Sequence, residues 1–187
     1  KISAKMTLSN WKNKGNYFTF NGHQIFSLDE GEGAPLMLIH GFPTASWDWS
    51  KTWPELRKNH RVLAIDMLGF GFSDKPKNHP YSIFEQADCI EQFLLKKEIS
   101  SVHILSHDYG DTVAQELLAR FQTASFTVNH LLRLNSICFL NGGLFPEVHQ
   151  PLLVQKILMS PLGWMVGRLF NQKKLKKNFD QIFGPKT

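Results

Sequence analysis

One short segment of the sequence concentrates side chains that can attack a bond or move a proton. Residues 101–111, SVHILSHDYGD, contain Ser106, His107, Asp108 and Asp111. A serine nucleophile would indicate cleavage of an ester, whereas an aspartate nucleophile would indicate attack on a saturated carbon. The sizes of the neighbouring residues distinguish these two possibilities.

A nucleophile can stand on a sharp turn between a strand and a helix, with its side chain projecting from the edge of the sheet. The residues two before and two after it must be small, because the two backbones approach closely there. Ser106 has Ile104 and Asp108 at those positions and fails on both sides. Asp108 has Ser106 and Gly110 and passes on both. We therefore predict Asp108 as the catalytic nucleophile and Ser106 as a small spacer. Two alternatives stay open: Asp108 could only cap the following helix, and a serine esterase would use Ser106.

An aspartate carboxyl is ionised at neutral pH and needs no base before it attacks. Displacement at an sp3 carbon would give an alkyl-enzyme ester, which a histidine-activated water would then cleave. The negative charge that develops on the ester carbonyl requires hydrogen-bond donors, and backbone N–H groups at a helix N-terminus supply them. We predict an oxyanion hole formed by the N–H groups of Tyr109 and Phe42.

The second donor belongs to a loop, residues 40–47 (HGFPTASW), that follows the apolar run 36–39. Gly41 is expected to permit an unusual backbone angle, and Pro43 to fix the turn. Together they would point the Phe42 N–H group into the site.

Two histidines near these motifs are interpreted as structural. His40 is predicted to hold its loop by a hydrogen bond. His107 precedes the nucleophile along the strand and is predicted to point away from the cavity. Asp111 is interpreted as the start of the following helix.

The elements that must position these residues follow from hydrophobic patterning. Residues 17–26 predict a hairpin with Asn21-Gly22 at its turn. The predicted buried strands are the apolar runs 36–40, 61–66, 102–105 and 136–140. A capping box at Ser82 and Glu85 predicts a helix to about Lys97, and a second helical face runs from Asp111 to about Gln122. Strands that alternate with helices predict an α/β fold with a doubly wound, mostly parallel sheet.

Composition and charge indicate an ordinary soluble globular protein. The net charge is +5, and part of it comes from Lys173, Lys174, Lys176 and Lys177. We interpret this run as a solvated helix face, so no nucleic-acid partner is predicted and membrane association is not indicated. No cofactor or metal is predicted, and the sequence does not indicate an oligomeric state.

Cysteine usage bears on the cellular compartment. Cys89 and Cys138 lie in apolar contexts and are interpreted as buried free thiols. Free thiols fit a reducing compartment, so a cytoplasmic location is predicted. The chain begins at Lys1 rather than Met; a lost N-terminal segment would change this prediction to a membrane-associated protein.

Three motifs carry a resemblance to a known family. HGFP at 40–43, D-x-x-G-x-G-x-S-D-K-P at 66–76 and SHDYG at 106–110 occur in order. They resemble the α/β-hydrolases with an aspartate nucleophile, the group of the epoxide hydrolases and haloalkane dehalogenases. The resemblance extends to about Ile157. It implies the α/β-hydrolase fold, a small apolar substrate and Asp108 as the nucleophile.

The same resemblance implies roles for the cavity residues. Phe42, Trp47 and Tyr109 would line the cavity, and Asn141, just past the strand 136–140, is counted with them. Dehalogenases usually have Trp after the nucleophile and often Asn or Glu at the position of Phe42. Tyr109 and Phe42 therefore favour an epoxide-hydrolase-like enzyme over a haloalkane dehalogenase.

The resemblance also implies a domain division: residues 1–143 as the N-terminal part of the core and 144–187 as the start of a helical cap. In the family a catalytic histidine follows a later strand, whereas the last histidine here is His149. We expect the chain to be the N-terminal part of a hydrolase, with the C-terminal part of the core missing. A non-catalytic binding protein on the same fold is the remaining alternative.

Overall fold

The computed structural model describes residues 6–124 and 132–142. The chain divides into two units, Lys1–Leu144 and Phe145–Thr187, and every described residue belongs to the first. The predicted start of a helical cap at 144–187, with His149, lies outside the described residues and stays a prediction.

Within residues 6–124 and 132–142, six strands form one sheet in the order β1-β2-β4-β3-β5-β6. Their bounds are Asn16–Phe20, His23–Glu30, Ala34–Ile39, His60–Ile65, Ser101–His107 and Arg133–Leu140, for β1 to β6. β3 pairs in parallel with β4 and β5, and β5 pairs in parallel with β6. The hairpin β1–β2 is antiparallel and joins the sheet through β4. The predicted, mostly parallel α/β sheet is therefore confirmed.

The turn of the β1–β2 hairpin lies at the predicted dipeptide. Asn21 has φ 48° and Gly22 has φ 82°. A two-residue turn of type I′ requires positive φ at both positions, and Asn-Gly tolerates this better than other pairs. The hairpin is therefore confirmed.

The helices comprise four α-helices and one 3-10 helix among the described residues. Their bounds are Leu8–Lys14 (α1), Ser46–Lys51 (3-10), Trp53–Leu56 (α2), Ile83–Lys96 (α3) and Tyr109–Ala124 (α4). Ser82 caps α3, because its Oγ accepts from the Glu85 N–H at 3.1 Å. The Glu85 carboxylate bonds His79 Nε2 at 2.7 Å, so half of the predicted capping box is formed.

Alternate residues of β3 enter two separate cores, one on each face of the sheet. Met37 and Ile39 pack with the buried side chains of α3 and α4. Leu36 and Leu38 pack on the other face with tryptophans of α1, the 3-10 helix and α2: Trp11, Trp49 and Trp53. Burial of each such side chain contributes about 1.5–3 kcal/mol. The prediction of helices on both faces of the sheet is confirmed.

β6 differs from the expected buried strand. Its side chains are exposed or half-buried, and Cys138 on this strand is exposed, whereas Cys89 in α3 is buried. The prediction of two buried thiols is therefore wrong for Cys138. The physical reason is position: in the described sheet β6 stands at the end of the strand order and has β5 as its neighbour.

Among the described residues, no helix combines the length and the hydropathy that crossing a membrane requires.

Candidate active site

Asp108 lies at the turn between β5, which ends at His107, and α4, which begins at Tyr109. Its φ is 54°, in the left-handed region that non-glycine residues rarely adopt. An ordinary helix N-cap has an extended backbone and accepts from the N–H two or three residues later. Asp108 instead accepts from the N–H of Tyr109, the next residue. The geometry is that of a strained strand-to-helix elbow.

The small residues that flank the elbow have identifiable neighbours. A Cβ atom at Gly110 would lie 2.6 Å from the carbonyl oxygens of both Ile39 and His40. Ser106, two residues before the elbow, is fully buried. These contacts explain why neither position has room for a large side chain.

Two backbone N–H groups converge on one oxygen of the Asp108 carboxylate. Phe42 N donates to Asp108 Oδ1 at 2.7 Å, and Tyr109 N donates to the same oxygen at 2.6 Å. Asp108 itself is exposed. One carboxylate oxygen is therefore held between two donors, and Oδ2 is the oxygen left for other partners.

Gly41 is required for space and not for its backbone angle. Its φ is outside the positive range that five other glycines of the described residues adopt, so the expectation of an unusual angle is wrong. A Cβ atom there would lie 2.7 Å from Asp108 Cβ and 3.0 Å from Asp108 Oδ1. Pro43 follows Phe42 through a cis peptide bond.

His40 is fully buried and joins two loops by its two ring nitrogens. Its Nε2 accepts from the Met67 N–H at 3.0 Å, so Nδ1 carries the proton and donates to Gly41 O at 2.8 Å. Burial lowers the pKa of His40, which favours this neutral ring. These bonds give His40 the loop-holding role that the sequence predicts.

Three aromatic rings surround the elbow, and one of them was not predicted. The Phe70 ring lies 6.1 Å from the Phe42 ring and 6.0 Å from the Tyr109 ring, measured between centroids. Phe42 is 65% exposed. Burial raises the pKa of the Tyr109 phenol.

Two other predicted cavity residues are found in different surroundings. The Trp47 ring packs edge-on against Trp11, with centroids 5.8 Å apart, on the α1 side of the sheet. Asn141 is exposed directly after β6 and has φ 55°. The Leu140 carbonyl, just before Asn141, accepts from the Asp108 N–H at 3.3 Å, so Asn141 follows a strand end that lies beside the elbow. The assignment of Trp47 and Asn141 to the cavity stays a prediction.

Asp66 is a buried structural residue near the site, and the sequence analysis did not assign it a role. It is fully buried at the end of β4, and its carboxylate accepts from the N–H groups of Ser46 at 2.8 Å and Phe72 at 2.7 Å. Gly71 leaves the space for it, because a Cβ atom there would lie 2.0 Å from Asp66 Oδ2. The D-x-x-G-x-G motif is therefore a structural device that ties the 66–76 loop to the loop of Phe42.

A family profile described as alpha/beta hydrolase fold matches residues 34–176. The chain belongs to the α/β-hydrolase fold family. In this family the nucleophile stands at a strand-to-helix turn, which is where Asp108 lies.

Relatives and solved structures agree with this membership. The chain is 47% identical to the mesoderm-specific transcript homolog protein of Bos taurus, over 96% of this chain and 56% of that protein. A crystal structure of an α/β-hydrolase fold protein from Burkholderia ambifaria is 31% identical, with a TM-score of 0.64, over 76% of this chain and 48% of that one. The haloalkane dehalogenase DatA from Agrobacterium tumefaciens C58 is 26% identical, with a TM-score of 0.57, over 69% of this chain and 41% of that one. The chain therefore spans about half the length of the proteins it matches.

Ser106 occupies a buried position beneath the α/β-hydrolase elbow. Its Oγ donates to Asp111 Oδ1 at 2.5 Å, and both residues are fully buried. Burial raises the pKa of Asp111. Asp111 lies in the first turn of α4, two residues after the helix begins at Tyr109.

His107 lies closer to the site than the sequence suggests. Its Nε2 bonds Asp48 Oδ2 at 3.1 Å, and its ring packs against Trp49. A Cβ atom at Gly41 would lie 2.9 Å from His107 Cε1 and 3.0 Å from Asp108 Oδ1, so these two atoms are near neighbours. The Asp48 carboxylate raises the pKa of His107.

Proposed function

We propose that the protein is a hydrolase that attacks a saturated carbon of a small apolar substrate with the Asp108 carboxylate, in the manner of an epoxide hydrolase. The observation that carries the proposal is the pair of N–H groups, from Phe42 and Tyr109, on Asp108 Oδ1. This arrangement gives the two carboxylate oxygens of Asp108 different roles. Oδ2 is available to attack the substrate. Oδ1 is already hydrogen-bonded to the two N–H groups that would stabilise the negative charge on it during ester hydrolysis.

The first chemical step would form an ester. An Oδ2 lone pair attacks the substrate carbon, and a carbon–oxygen bond of the epoxide breaks. The electron pair goes to the epoxide oxygen, which takes up a proton. A bond from Oδ2 to the substrate carbon then joins substrate to enzyme.

The second step would cleave that ester. Water attacks Asp108 Cγ, and the charge that develops on Oδ1 is stabilised by the two N–H groups. The Cγ–Oδ2 bond breaks, and the product leaves as an alcohol. The carboxylate is regenerated with one oxygen from water. The family resemblance assigns the base for this water to a histidine of the full-length protein.

The preference for an epoxide over a haloalkane rests on side-chain chemistry. A departing halide needs hydrogen-bond donors, and the side chains of Phe42 and Phe70 have none. Aromatic rings around a carboxylate favour an apolar substrate with one polarised bond. Trp47 and Asn141 belong to the proposal as further cavity residues.

The full-length protein tests this proposal when it is incubated with a panel of epoxides in H2-18O. Mass spectrometry should detect a transient adduct on Asp108, and turnover should then leave one 18O atom in its side chain. Asp108→Asn should lose both signals. Ser106→Ala should keep them, since Ser106 Oγ is buried against Asp111. Activity that survives Asp108→Asn but is lost in Ser106→Ala would establish the serine esterase instead.

A haloalkane dehalogenase is the second candidate, favoured by the 26% identity to DatA. It would use the same Asp108 ester, so the two enzymes differ only in the leaving group. A parallel panel of haloalkanes with halide detection separates them. A full-length protein that forms an adduct with neither panel and hydrolyses no ester would favour the alternative of a non-catalytic binding protein.

A further inference from the structure

We infer that Thr44, Asp48 and His107 are positioning residues that aim the Phe42 N–H group at Asp108. The inference rests on the proposed function for its catalytic consequence. The positioning itself follows from a closed circuit of hydrogen bonds that starts and ends at the nucleophile.

The circuit begins with the Gly41–Phe42 peptide. A trans peptide is planar, so its carbonyl and its N–H group point in opposite directions. Gly41 O accepts from His40 Nδ1 at 2.8 Å and from Thr44 Oγ1 at 3.2 Å. Donors that hold this carbonyl on one side therefore fix the Phe42 N–H group on the other side, where Asp108 Oδ1 lies at 2.7 Å.

Asp48 links Thr44 to the strand that carries the nucleophile. Its Oδ2 atom accepts from His107 Nε2 at 3.1 Å and from Thr44 Oγ1, whose single hydroxyl proton is shared between Asp48 Oδ2 and Gly41 O. Asp48 is in the 3-10 helix, and His107 is the last residue of β5, next to Asp108. The Asp48–His107 bond thus ties the loop of Phe42 to the strand of the nucleophile. This bond is independent of the hydrogen bond from Phe42 N to Asp108 Oδ1.

The environment of the Asp48–His107 pair makes it stronger than an ordinary surface ion pair. The side chains are only 25% and 27% exposed, and the Trp49 ring covers the imidazole with centroids 5.2 Å apart. Partial burial limits screening by water and salt. The pair can therefore hold the loop where an exposed pair would contribute little.

The two chemical steps should depend on this circuit to different extents. Negative charge on Oδ1 grows during ester hydrolysis and falls when Oδ2 alkylates. Misdirection of one oxyanion donor should therefore slow hydrolysis most. Loss of an oxyanion donor costs about 100- to 1,000-fold in rate, and a donor that is displaced but present should cost about 10- to 100-fold.

The experiment uses the full-length protein and follows the Asp108 adduct through a single turnover. Thr44→Val and Asp48→Asn should hydrolyse the ester about 10- to 100-fold more slowly, so the adduct accumulates. The rate of adduct formation should change far less. Thr44→Ser keeps the hydroxyl and should restore hydrolysis. Glu55→Gln, which breaks the exposed Lys58–Glu55 pair, is the matched control and should behave as wild type.

A second measurement does not depend on activity. The Phe42 amide proton, bonded to a carboxylate, should resonate downfield, and it should move upfield in Thr44→Val and Asp48→Asn but not in Glu55→Gln. An unmoved Phe42 resonance, or equal slowing of both chemical steps, would overturn the inference. A wild-type protein that forms no adduct but shows the Phe42 shift would overturn the proposed function alone.

Discussion

At the scale of single residues, the elbow at Asp108 requires two residues that lack a side chain. Gly110 and Gly41 each let a second backbone approach, and neither glycine needs a positive φ to do so. Asp108 does adopt a positive φ, at a cost of order 1–3 kcal/mol that the surrounding contacts must offset. The backbone strain therefore lies at Asp108, whereas the neighbouring glycines supply space.

Gly110→Ala should destabilise the protein by roughly 3 kcal/mol. Its new Cβ atom would meet backbone carbonyls of Ile39 and His40 at 2.6 Å, and backbone cannot move aside cheaply. Urea unfolding measures the change. Gly22→Ala is the control for backbone angle alone, because Gly22 has positive φ and open space, and it should cost about 1 kcal/mol. Equal losses would contradict the steric account.

His107 should make stability depend on pH in a defined direction. Asp48 raises its folded pKa above the ordinary value of 6.5. The stabilisation is therefore fully present below pH 6.5 and is lost as pH rises through the folded pKa. The charged groups that face the ring are Asp48, Asp108 and Asp111, and all three favour the imidazolium. Burial lowers the pKa of the neighbouring His40, so protonation of His40 opposes folding at low pH.

The measurement is the difference in unfolding free energy between wild type and His107→Gln. It should be larger at about pH 5.5 than at about pH 8.5. His40 is present in both proteins, so most of its own contribution cancels. A difference that grows with rising pH would show that His107 is not held by Asp48.

At the scale of elements, buried side chains fasten the loops at the carboxyl ends of the strands. The Asp66 carboxylate accepts from two N–H groups of different loops, and Gln86 in α3 exchanges hydrogen bonds with the backbone of Leu68 at 3.1 and 2.9 Å. The loops of the candidate site are therefore parts of the folded core. Their rigidity follows from satisfied polar groups as well as from packing.

Asp66→Ala should lower the free energy of unfolding by about 2–4 kcal/mol, because it leaves the Ser46 and Phe72 N–H groups without their charged acceptor. Asp74→Ala is a matched control. Asp74 also accepts from a backbone N–H, that of Gln24 at 2.7 Å, but it is exposed and water can replace it. That change should cost less than about 1 kcal/mol in the same urea titration. Similar losses would rule out burial as the cause.

The sequence was most informative where local pattern decides structure. β3 and β4 were predictable because strands covered on both faces are continuously apolar. β5 was predicted from the run 102–105, although only alternate residues of this strand are buried. α1 and α2 were not, since short helices are held by buried Trp11 and Trp53 and have little stability of their own. β6 is apolar in sequence like the others, yet its place in the strand order leaves it partly exposed.

Within the site, too, the features set by local sequence were predictable and those set by tertiary contacts were not. Asp108, Phe42 and Tyr109 were found from spacing and from the sizes of neighbours. The Asp48–His107 pair was not found, because it joins residues 59 positions apart that no local pattern connects. Asp66 did carry a signal: an aspartate directly after an apolar strand and before a Gly-x-Gly sequence.

At the scale of the whole molecule, the reactivities of the two cysteines measure the exposure of two different elements, α3 for Cys89 and β6 for Cys138. Iodoacetamide should label Cys138 rapidly in the folded chain, since it is exposed on β6. Cys89 should react only on unfolding, because it is buried and burial raises its pKa. Peptide mass spectrometry over time, with and without urea, assigns each rate. Equal native rates would show that the α3 face is open.

The buried Ser106–Asp111 bond has a practical consequence for how such proteins are found in cells. Fluorophosphonate reagents tag enzymes through a reactive serine hydroxyl, and the hydroxyl here is enclosed and donates its proton to a carboxyl. We therefore expect those reagents to leave Ser106 unlabelled in the folded protein. Under the proposed function, epoxide-bearing tags, which a carboxylate can open, would label Asp108 instead.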